Sequence, residues 1–191
     1  MASSERTARI LRNTCARCAQ CCIEPVAPVT EADVRRLMRA SSLPAARIVR
    51  FWSSAEFDYE PDRPGWVRLS GGRRVMGLRK PRGRCIFLGP DGGCRVYESR
   101  PMTCRTFPFE VTTRPDGSLG KVSRIRMNWC RTRPGTGVDP AQLAAWSSTE
   151  DAEDEAYHRR VERWNRMQRD THPPGNREDF LRFLGLAGES V

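Results

Sequence analysis

Histidine and lysine are nearly missing from this chain, with two of each among 191 residues. His158 and His172 both fall in the C-terminal third, and a lone histidine on a polar helix is ordinarily a surface residue rather than a base or ligand. The sequence also lacks a G-x-S-x-G nucleophile turn, a phosphate-binding glycine loop and an H-E-x-x-H pair. Conventional hydrolytic or nucleotide-driven catalysis therefore finds little support. No apolar run approaches the roughly 18 to 20 residues that a membrane helix needs. The longest candidate is Cys85-Ile86-Phe87-Leu88, so no membrane span is expected. The N-terminus has no apolar core of a secretory signal, which makes a cytoplasmic setting with reduced thiols the expectation.

Arginine supplies 31 of the 33 basic residues, leaving only Lys80 and Lys121 as lysines, a skew that GC-rich codon usage produces by itself. The net charge is +10, which keeps nucleic-acid binding through phosphate contacts possible. It is not favoured, because the basic residues read as scattered rather than gathered into a run and no nucleic-acid motif is present. Eight thiolates on two divalent zinc ions would add eight negative and four positive charges, and part of the basic excess offsets such a cluster.

Eight cysteines are what the chain does have: Cys15, Cys18, Cys21, Cys22, Cys85, Cys94, Cys104 and Cys130. The first four stand within eight residues as C-x2-C-x2-C-C, a sulfur density that thiophilic metals use and folding alone seldom needs. In a reducing compartment they read as metal ligands before disulfides. Ala16, Ala19 and Gln20 are small or polar spacers that let the backbone turn tightly. The neighbours Cys21 and Cys22 are harder to place, because adjacent side chains usually diverge. One of them is expected to serve a second site, bridge two metals or pack as a buried thiol.

The rest reads as a small, irregular α+β unit with short antiparallel hairpins and a helical C-terminal extension. The division expected is residues 1–138 for the cysteine-cluster domain and 139–191 for an extension packed on it. Residues 1–14 are expected to fray or form a short helix. Thr30 to Asp33 open a helix through a capping box with Asp in place of the preferred Glu, and Val34, Leu37 and Met38 form its core face. A second short helix is predicted over Ile48–Trp52, and a surface loop over Ser53–Gly65. A hairpin is predicted around Ser70-Gly71-Gly72 and a short buried strand over Cys85–Leu88, returning at Cys94–Tyr97 after Gly89–Gly93. A regular hairpin there would aim Cys85 and Cys94 at opposite faces, so either the loop is irregular or they feed different sites.

Pro101 and Pro108 bound a very short helix carrying Cys104, where free amides and the guanidiniums of Arg100 and Arg105 could favour a thiolate. The same arginines could equally bond backbone carbonyls. Val111–Met127 reads as a hairpin turning at Pro115–Ser118 and delivering Trp129 and Cys130. Asp139-Pro140 starts a helix reaching Arg169, predicted to break near Ser147-Ser148-Thr149. Pro173-Pro174-Gly175 ends that region, and a last helix capped at Asn176 carries Phe180, Leu181, Phe183 and Leu184 into the core.

Taken together, C-x2-C-x2-C-C, Cys85-Ile86-Phe87-Leu88, Cys94, Tyr97-Glu98, Arg100-Pro101, Cys104-Arg105, Phe107-Pro108-Phe109 and Cys130 with Gly135 and Gly137 carry a resemblance. Over residues 15–137 the chain resembles the CxxCxxCC family, the YkgJ-type cysteine-cluster proteins described as zinc- or iron-chelating domains. The resemblance implies a metal-chelating domain with the eight cysteines as candidate ligands and the metal ion as partner. Flagellin lysine N-methylases are similar in carrying such a cluster, so an iron–sulfur-dependent modifying enzyme is one alternative and a zinc-stapled nucleic-acid module another. Zinc would take the sulfurs as two tetrahedral sites. An iron–sulfur cluster suits three close sulfurs and one remote one, but no proline follows a cluster cysteine directly, which tips the reading to zinc. A reactive cysteine would need one thiolate free of metal, with Cys22 the first candidate. Glu98 and Asp91 are placed in surface and turn roles.

Overall fold

Thr30 and Asp33 start the part of the chain on which the core is built. The structure, a computed structural model, describes residues 2–16, 18–57, 63–125, 127, 130–135 and 137–187. It is α+β, with short antiparallel strands and most of its helix near the C-terminus. The capping box forms with Asp at its third position: the Thr30 hydroxyl accepts from the Asp33 amide at 3.2 Å and the Asp33 carboxylate accepts from the Thr30 amide at 3.2 Å. Helix α2 (Glu31–Ser41) follows and buries Val34 and Leu37. Helix α1 (Ala2–Leu11) precedes it as a short N-terminal helix, joined through strand β1 (Asn13–Cys15).

The helix expected over Ile48–Trp52 is not there. Helix α3 (Ala45–Ile48) ends after one turn, and strand β2 (Val49–Trp52) takes its place. Val49 is β-branched and Phe51 and Trp52 are aromatic, and such residues prefer a pleated, half-buried surface. The partner is at hand: β3 (Val67–Leu69) and β4 (Gly72–Leu78) form the expected hairpin, and β2 adds to β4 antiparallel with Val49 opposite Leu78. Pro28 bridges Gly77 on the same strand, and a Cβ at Gly77 would stand 2.8 Å from Val26 and 3.0 Å from the Ala27 carbonyl. Only glycine allows that approach. Of the loop expected over Ser53–Gly65, residues 58–62 lie outside the described residues, and Phe57 turns inward to Val26, Trp52, Trp66 and Val75.

Helix α4 (Met102–Thr106) is the short proline-bounded helix expected around Cys104. Strands β5 (Phe109–Thr113) and β6 (Leu119–Arg124) form the hairpin predicted at Pro115–Ser118, where the Asp116 carboxylate accepts from the Ser118 amide at 2.9 Å. The strand stops at Arg124, short of Cys130, and Trp129 lies outside the described residues. Strand β7 (Thr132–Pro134) instead returns to pair with β1. Gly137, at a φ of 81°, then packs against the Leu11 carbonyl of α1, where a Cβ would come within 2.6 Å.

Helix α5 (Pro140–Met167) runs 28 residues without the break expected near Ser147–Thr149. The Thr149 hydroxyl bonds back to the Ala145 carbonyl at 2.8 Å and Ser147 is buried, so the hydroxyls serve the helix they sit in rather than capping a new one. Asp139 caps the start as predicted, accepting from Ala141 and Gln142. At its other end α5 closes the exposed edge of β3. The Asn165 side chain takes the Arg68 amide and gives to the Trp66 carbonyl, each at 2.7 Å, and Trp164 Nε1 gives to the Arg68 carbonyl at 2.8 Å. Helix α6 (Arg177–Phe183), capped by Asn176, sends Phe180 edge-on to Trp164, with ring centroids 5.3 Å apart. These side chains join Val34, Leu37, Ile48, Val67, Met76 and Val161 in one core.

Between α2, α4 and α5 lies a cavity of about 220 Å³, lined among others by Asp33, Glu150, Asp154 and Met102. Asp33 is 3% exposed and gathers several donors: the Thr30 and Met102 amides, and the guanidinium of Arg36 at 2.5 Å. Arg36 also reaches Glu153 at 2.5 Å. Burial pushes the Glu150 carboxyl up to about 7, against a hydrogen bond with Thr106. It pushes Asp154 up to about 6, helped by the charges of Asp33, Asp151 and Glu153. Both folded-state values lie above the unfolded ones, so the fold retains protons that the unfolded chain has released. The cost therefore grows as pH rises from about 4.5 to about 7 and is complete above that window.

Glu150→Gln, which keeps a hydrogen-bonding partner for Thr106, is expected to match wild type near pH 4.5 and exceed it above pH 7. The gain is on the order of 1–2 kcal/mol. Urea unfolding of both proteins across that range measures the difference. Asp33→Ala removes one side of a buried ion pair and leaves the Thr30 and Met102 amides without their acceptor, while Arg36 keeps Glu153. It is expected to lower stability by about 3–5 kcal/mol, read from the same urea curves at pH 7, with Asp33→Asn falling between.

Candidate metal centre

The CxxCxxCC stretch is built from one short strand and one tight turn. Cys15 ends β1, its backbone paired with Thr132 of β7, and the Ala16 amide donates to the Arg131 carbonyl at 3.2 Å. Half-buried Cys130 stands two residues before Thr132, so this ribbon draws the first and last cysteines of the chain to neighbouring backbone positions. Cys18 is exposed. Ala19 then adopts a left-handed conformation, φ 60° and ψ 4°, which a small side chain tolerates better than a large one. That reversal starts a single 3-10 turn over Gln20–Cys22, closed by the Cys22 amide on the Ala19 carbonyl at 2.9 Å. Cys21 and Cys22, expected to diverge, instead share a hydrogen bond between their sulfurs. A tight helical turn keeps neighbouring side chains closer than an extended backbone does.

The second segment docks directly on the first. The Cys85 amide donates to the Cys22 carbonyl at 2.7 Å, joining residues far apart in sequence. Lys80 clamps the same place from the end of β4, its Nζ donating to the Ile23 carbonyl at 2.8 Å and to the Pro25 carbonyl. Cys85–Leu88 is not the expected strand. It is a turn, with the Leu88 amide on the Cys85 carbonyl at 3.0 Å and one isolated bridge from Leu88 to Cys94. The irregular loop is thus the alternative the chain adopts, and the opposed facing of Cys85 and Cys94 in a regular hairpin does not arise. Asp91 serves the turn, accepting from the Gly93 amide at 3.1 Å.

The third segment is α4. Cys104 lies in it, and the Met102 amide at its start is held by Asp33 at 3.0 Å. Arg105 donates to the Glu98 and Arg100 carbonyls, so it is committed to backbone bonding rather than to a thiolate. Arg100 lies over the Tyr97 ring at 4.0 Å and is one of the cations that lower Cys21.

Electrostatically, Cys21, Cys22, Cys85, Cys94 and Cys104 form one group. Cys22 responds to Cys21, Cys85 and Cys104, while Cys85 and Cys104 each respond to Cys94 and Cys21. The Cys22 hydrogen bond brings Cys21 down to about 6, against burial and with help from Lys80 and Arg100. The same bond, then burial and the neighbouring sulfurs, push Cys22 up. Of this pair, Cys21 is drawn toward the thiolate and Cys22, the first candidate for a metal-free reactive thiolate, is pushed toward the thiol. Burial chiefly raises Cys85 and Cys104, so the free amides at the start of α4 do not prevail for Cys104. Neither histidine is among the groups acting on these sulfurs: His158 is half-buried on α5 and His172 is exposed.

As donors, five clustered sulfurs beside a lysine match what zinc or iron takes. Among the described residues, no three His, Cys, Asp or Glu side chains already stand together as a group that could hold one ion. Lys80 is the participant that sequence reasoning passed over. Half-buried, it feels the charge of Cys85, Cys22, Cys21 and Cys104. Its signal was compositional, a lysine in a chain that otherwise uses arginine.

Comparison with known proteins bears on the chemistry of this stretch. A family model described as "Putative zinc- or iron-chelating domain" matches residues 14–131, the span from β1 to the start of β7. An uncharacterized protein of Methanocaldococcus jannaschii is 27% identical over 101 residues, which are 52% of this chain and 46% of that protein. The match thus spans just under half the length of that relative. No solved structure matches. With more than half of its length covered by the family model, the chain belongs to the CxxCxxCC family.

Proposed function

We propose that this protein is a thiolate metal-chelating domain whose ion is held by ligands drawn from Cys21, Cys22, Cys85, Cys94 and Cys104. The observation that carries it is the mutual electrostatic influence of five cysteines contributed by three separate segments. Without a cation, buried sulfurs resist ionising together. A divalent ion reverses that balance, because each ligand then binds as the thiolate. Cys15, Cys18 and Cys130 form the complementary set for a second ion, supported by the β1–β7 pairing that sets Cys15 opposite Thr132, two residues after Cys130. Zinc is the ion we assign, with iron or an iron–sulfur cluster as the alternative occupant of the same sulfurs. Bound zinc supplies structural energy and no redox chemistry.

The role is structural or metal-handling, in a reducing cytoplasm where thiols persist. Residues 139–191 act as a helical extension of the same unit, consistent with the core contributions of α5 and α6. Structural zinc is worth roughly 10–16 kcal/mol in small domains, comparable with the roughly 5–15 kcal/mol of net stability of a whole domain. The segments bearing cysteine are short and irregular, so their order depends on the ion.

Elemental analysis and a visible spectrum of anaerobically purified protein test the assignment. Zinc in a colourless preparation is the expected result; a brown preparation with charge-transfer absorption replaces zinc by an iron–sulfur cluster. Cys85→Ser and Cys104→Ser are each expected to lower the metal-to-protein ratio by about half or more and to lower the thermal midpoint. An unchanged ratio in both variants removes these sulfurs from the site.

A further inference from the structure

We infer that the face formed by Arg47, Arg79, Arg82, Arg84 and Arg95 binds the phosphodiester backbone of a nucleic acid. These arginines come from three stretches of sequence, which is why the basic residues read as scattered, yet hydrogen bonds tie those stretches together. The Arg79 guanidinium donates to the Ala46 carbonyl at 3.3 Å, beside Arg47 in α3. The Ile86 amide donates to the Arg79 carbonyl at 3.0 Å, and the Ile86 carbonyl accepts from Arg95 at 2.5 Å. Arg82 and Arg84 follow Arg79 on the turn Pro81–Gly83, where the Gly83 amide closes on the Lys80 carbonyl at 3.2 Å.

All five side chains are exposed. Among the described residues none of the five has a carboxylate within ion-pair distance, so their charge is not neutralised locally. The nearby Asp91 carboxylate is turned to the Gly93 amide. Arg82 moreover holds a left-handed φ of 55° at the tip of this exposed turn. Such a conformation is unfavourable for a non-glycine residue and persists where the surroundings impose it. Guanidiniums that lack a carboxylate partner, two of them steadied by backbone carbonyls, suit phosphate oxygens, which they engage in bidentate fashion.

A nucleic acid fits better than an anionic membrane. The stretch Arg79–Arg84 holds only arginine, lysine, proline and glycine, with no large apolar side chain to enter a bilayer. Contacts of this kind read phosphate and not sequence, so the binding is general in base composition and steep in salt. Five phosphate contacts correspond to a slope of log affinity against log salt of about −4.5 on duplex DNA and about −3.5 on a single strand. On duplex this is a loss of about 500-fold between 50 and 200 mM salt.

Fluorescence anisotropy of the full-length, metal-replete protein on a labelled 30-mer, single-stranded and duplex, measures the slope. Arg82→Ala/Arg84→Ala is expected to bring the duplex slope to about −2.7 and the salt loss to about 40-fold, with metal content unchanged. Arg163→Ala/Arg166→Ala on α5 is expected to keep the wild-type slope. The proposal is overturned by a flat salt dependence in wild type, by an unchanged slope in the Arg82/Arg84 variant, or by an equal drop in the α5 variant. Binding to phosphatidylserine vesicles without binding to either oligonucleotide overturns it as well.

Discussion

One buried carboxylate holds the two halves of this molecule in register. Asp33 completes the capping box of α2, takes the guanidinium of Arg36, and accepts the first amide of α4. Arg36 is shared with Glu153, while the Thr30 and Met102 amides rely on Asp33, so the side chain satisfies local and long-range needs at once. Burial pushes Asp33 above the usual carboxylate range, while Arg36 and the two amides pull the other way. A charge in such a place destabilises a fold unless its hydrogen bonds are complete. Here they are what fixes α4, and α4 carries Cys104.

The sulfur-bearing segments use little regular structure, and the reason lies in how the sheet residues are spent. Strands β2, β3 and β4 send Val49, Val67, Leu69, Met76 and Leu78 to the core, leaving no inward position for a cysteine. The cysteines fall instead where chain direction changes: the 3-10 turn at Cys21 and Cys22, the turn at Cys85, the bridge at Cys94 and the single helical turn around Cys104. Turns leave amides and carbonyls unpaired by a ladder. Individual bonds such as Cys85 to Cys22 and Lys80 to Ile23 satisfy them and set the spacing of the segments. Geometry of this kind is specified point by point, and a bound ion completes it more readily than further secondary structure could.

That division also accounts for what was legible in the sequence. Elements announced by local chemistry were readable: the caps at Thr30, Asp139 and Asn176, the turns at Ser70–Gly72 and Pro115–Ser118, and the proline-bounded helix at Cys104. Elements decided by a distant partner were not. Val49–Trp52 became a strand because β4 was available to pair with it. Cys85–Leu88 stayed a turn because its amide went to Cys22 instead of to a neighbouring strand. Helix α5 ran on through Ser147–Thr149 because side-chain hydroxyls can serve a helix interior as well as a cap, and sequence alone does not say which. For the site, residue type and spacing pointed to the sulfurs. Which sulfurs act on one another depends on the approach of three segments, and no spacing encodes that.

Basic residues show the same separation between abundance and placement. Thirty-one arginines in one chain say little by their number, since codon usage fills permissive surface positions with them. What carries information is departure from that background. Lys80 departs in kind: a flexible stem with a compact ammonium reaches two carbonyls of the loop after the cysteine turn, where a planar guanidinium would have to fit a narrower geometry. Arg79, Arg82, Arg84 and Arg95 depart in company, because separate stretches of the chain bring them together on the surface with no carboxylate in ion-pair contact. Both departures stand close to Cys85 in sequence. Lys80 faces the sulfurs and offsets their charge inside the protein. The arginines lie on the surface, and none of them is among the leading influences on Cys21, Cys22, Cys85 or Cys104. A positive surface with no carboxylate in ion-pair contact is left to attract negative charge from outside it.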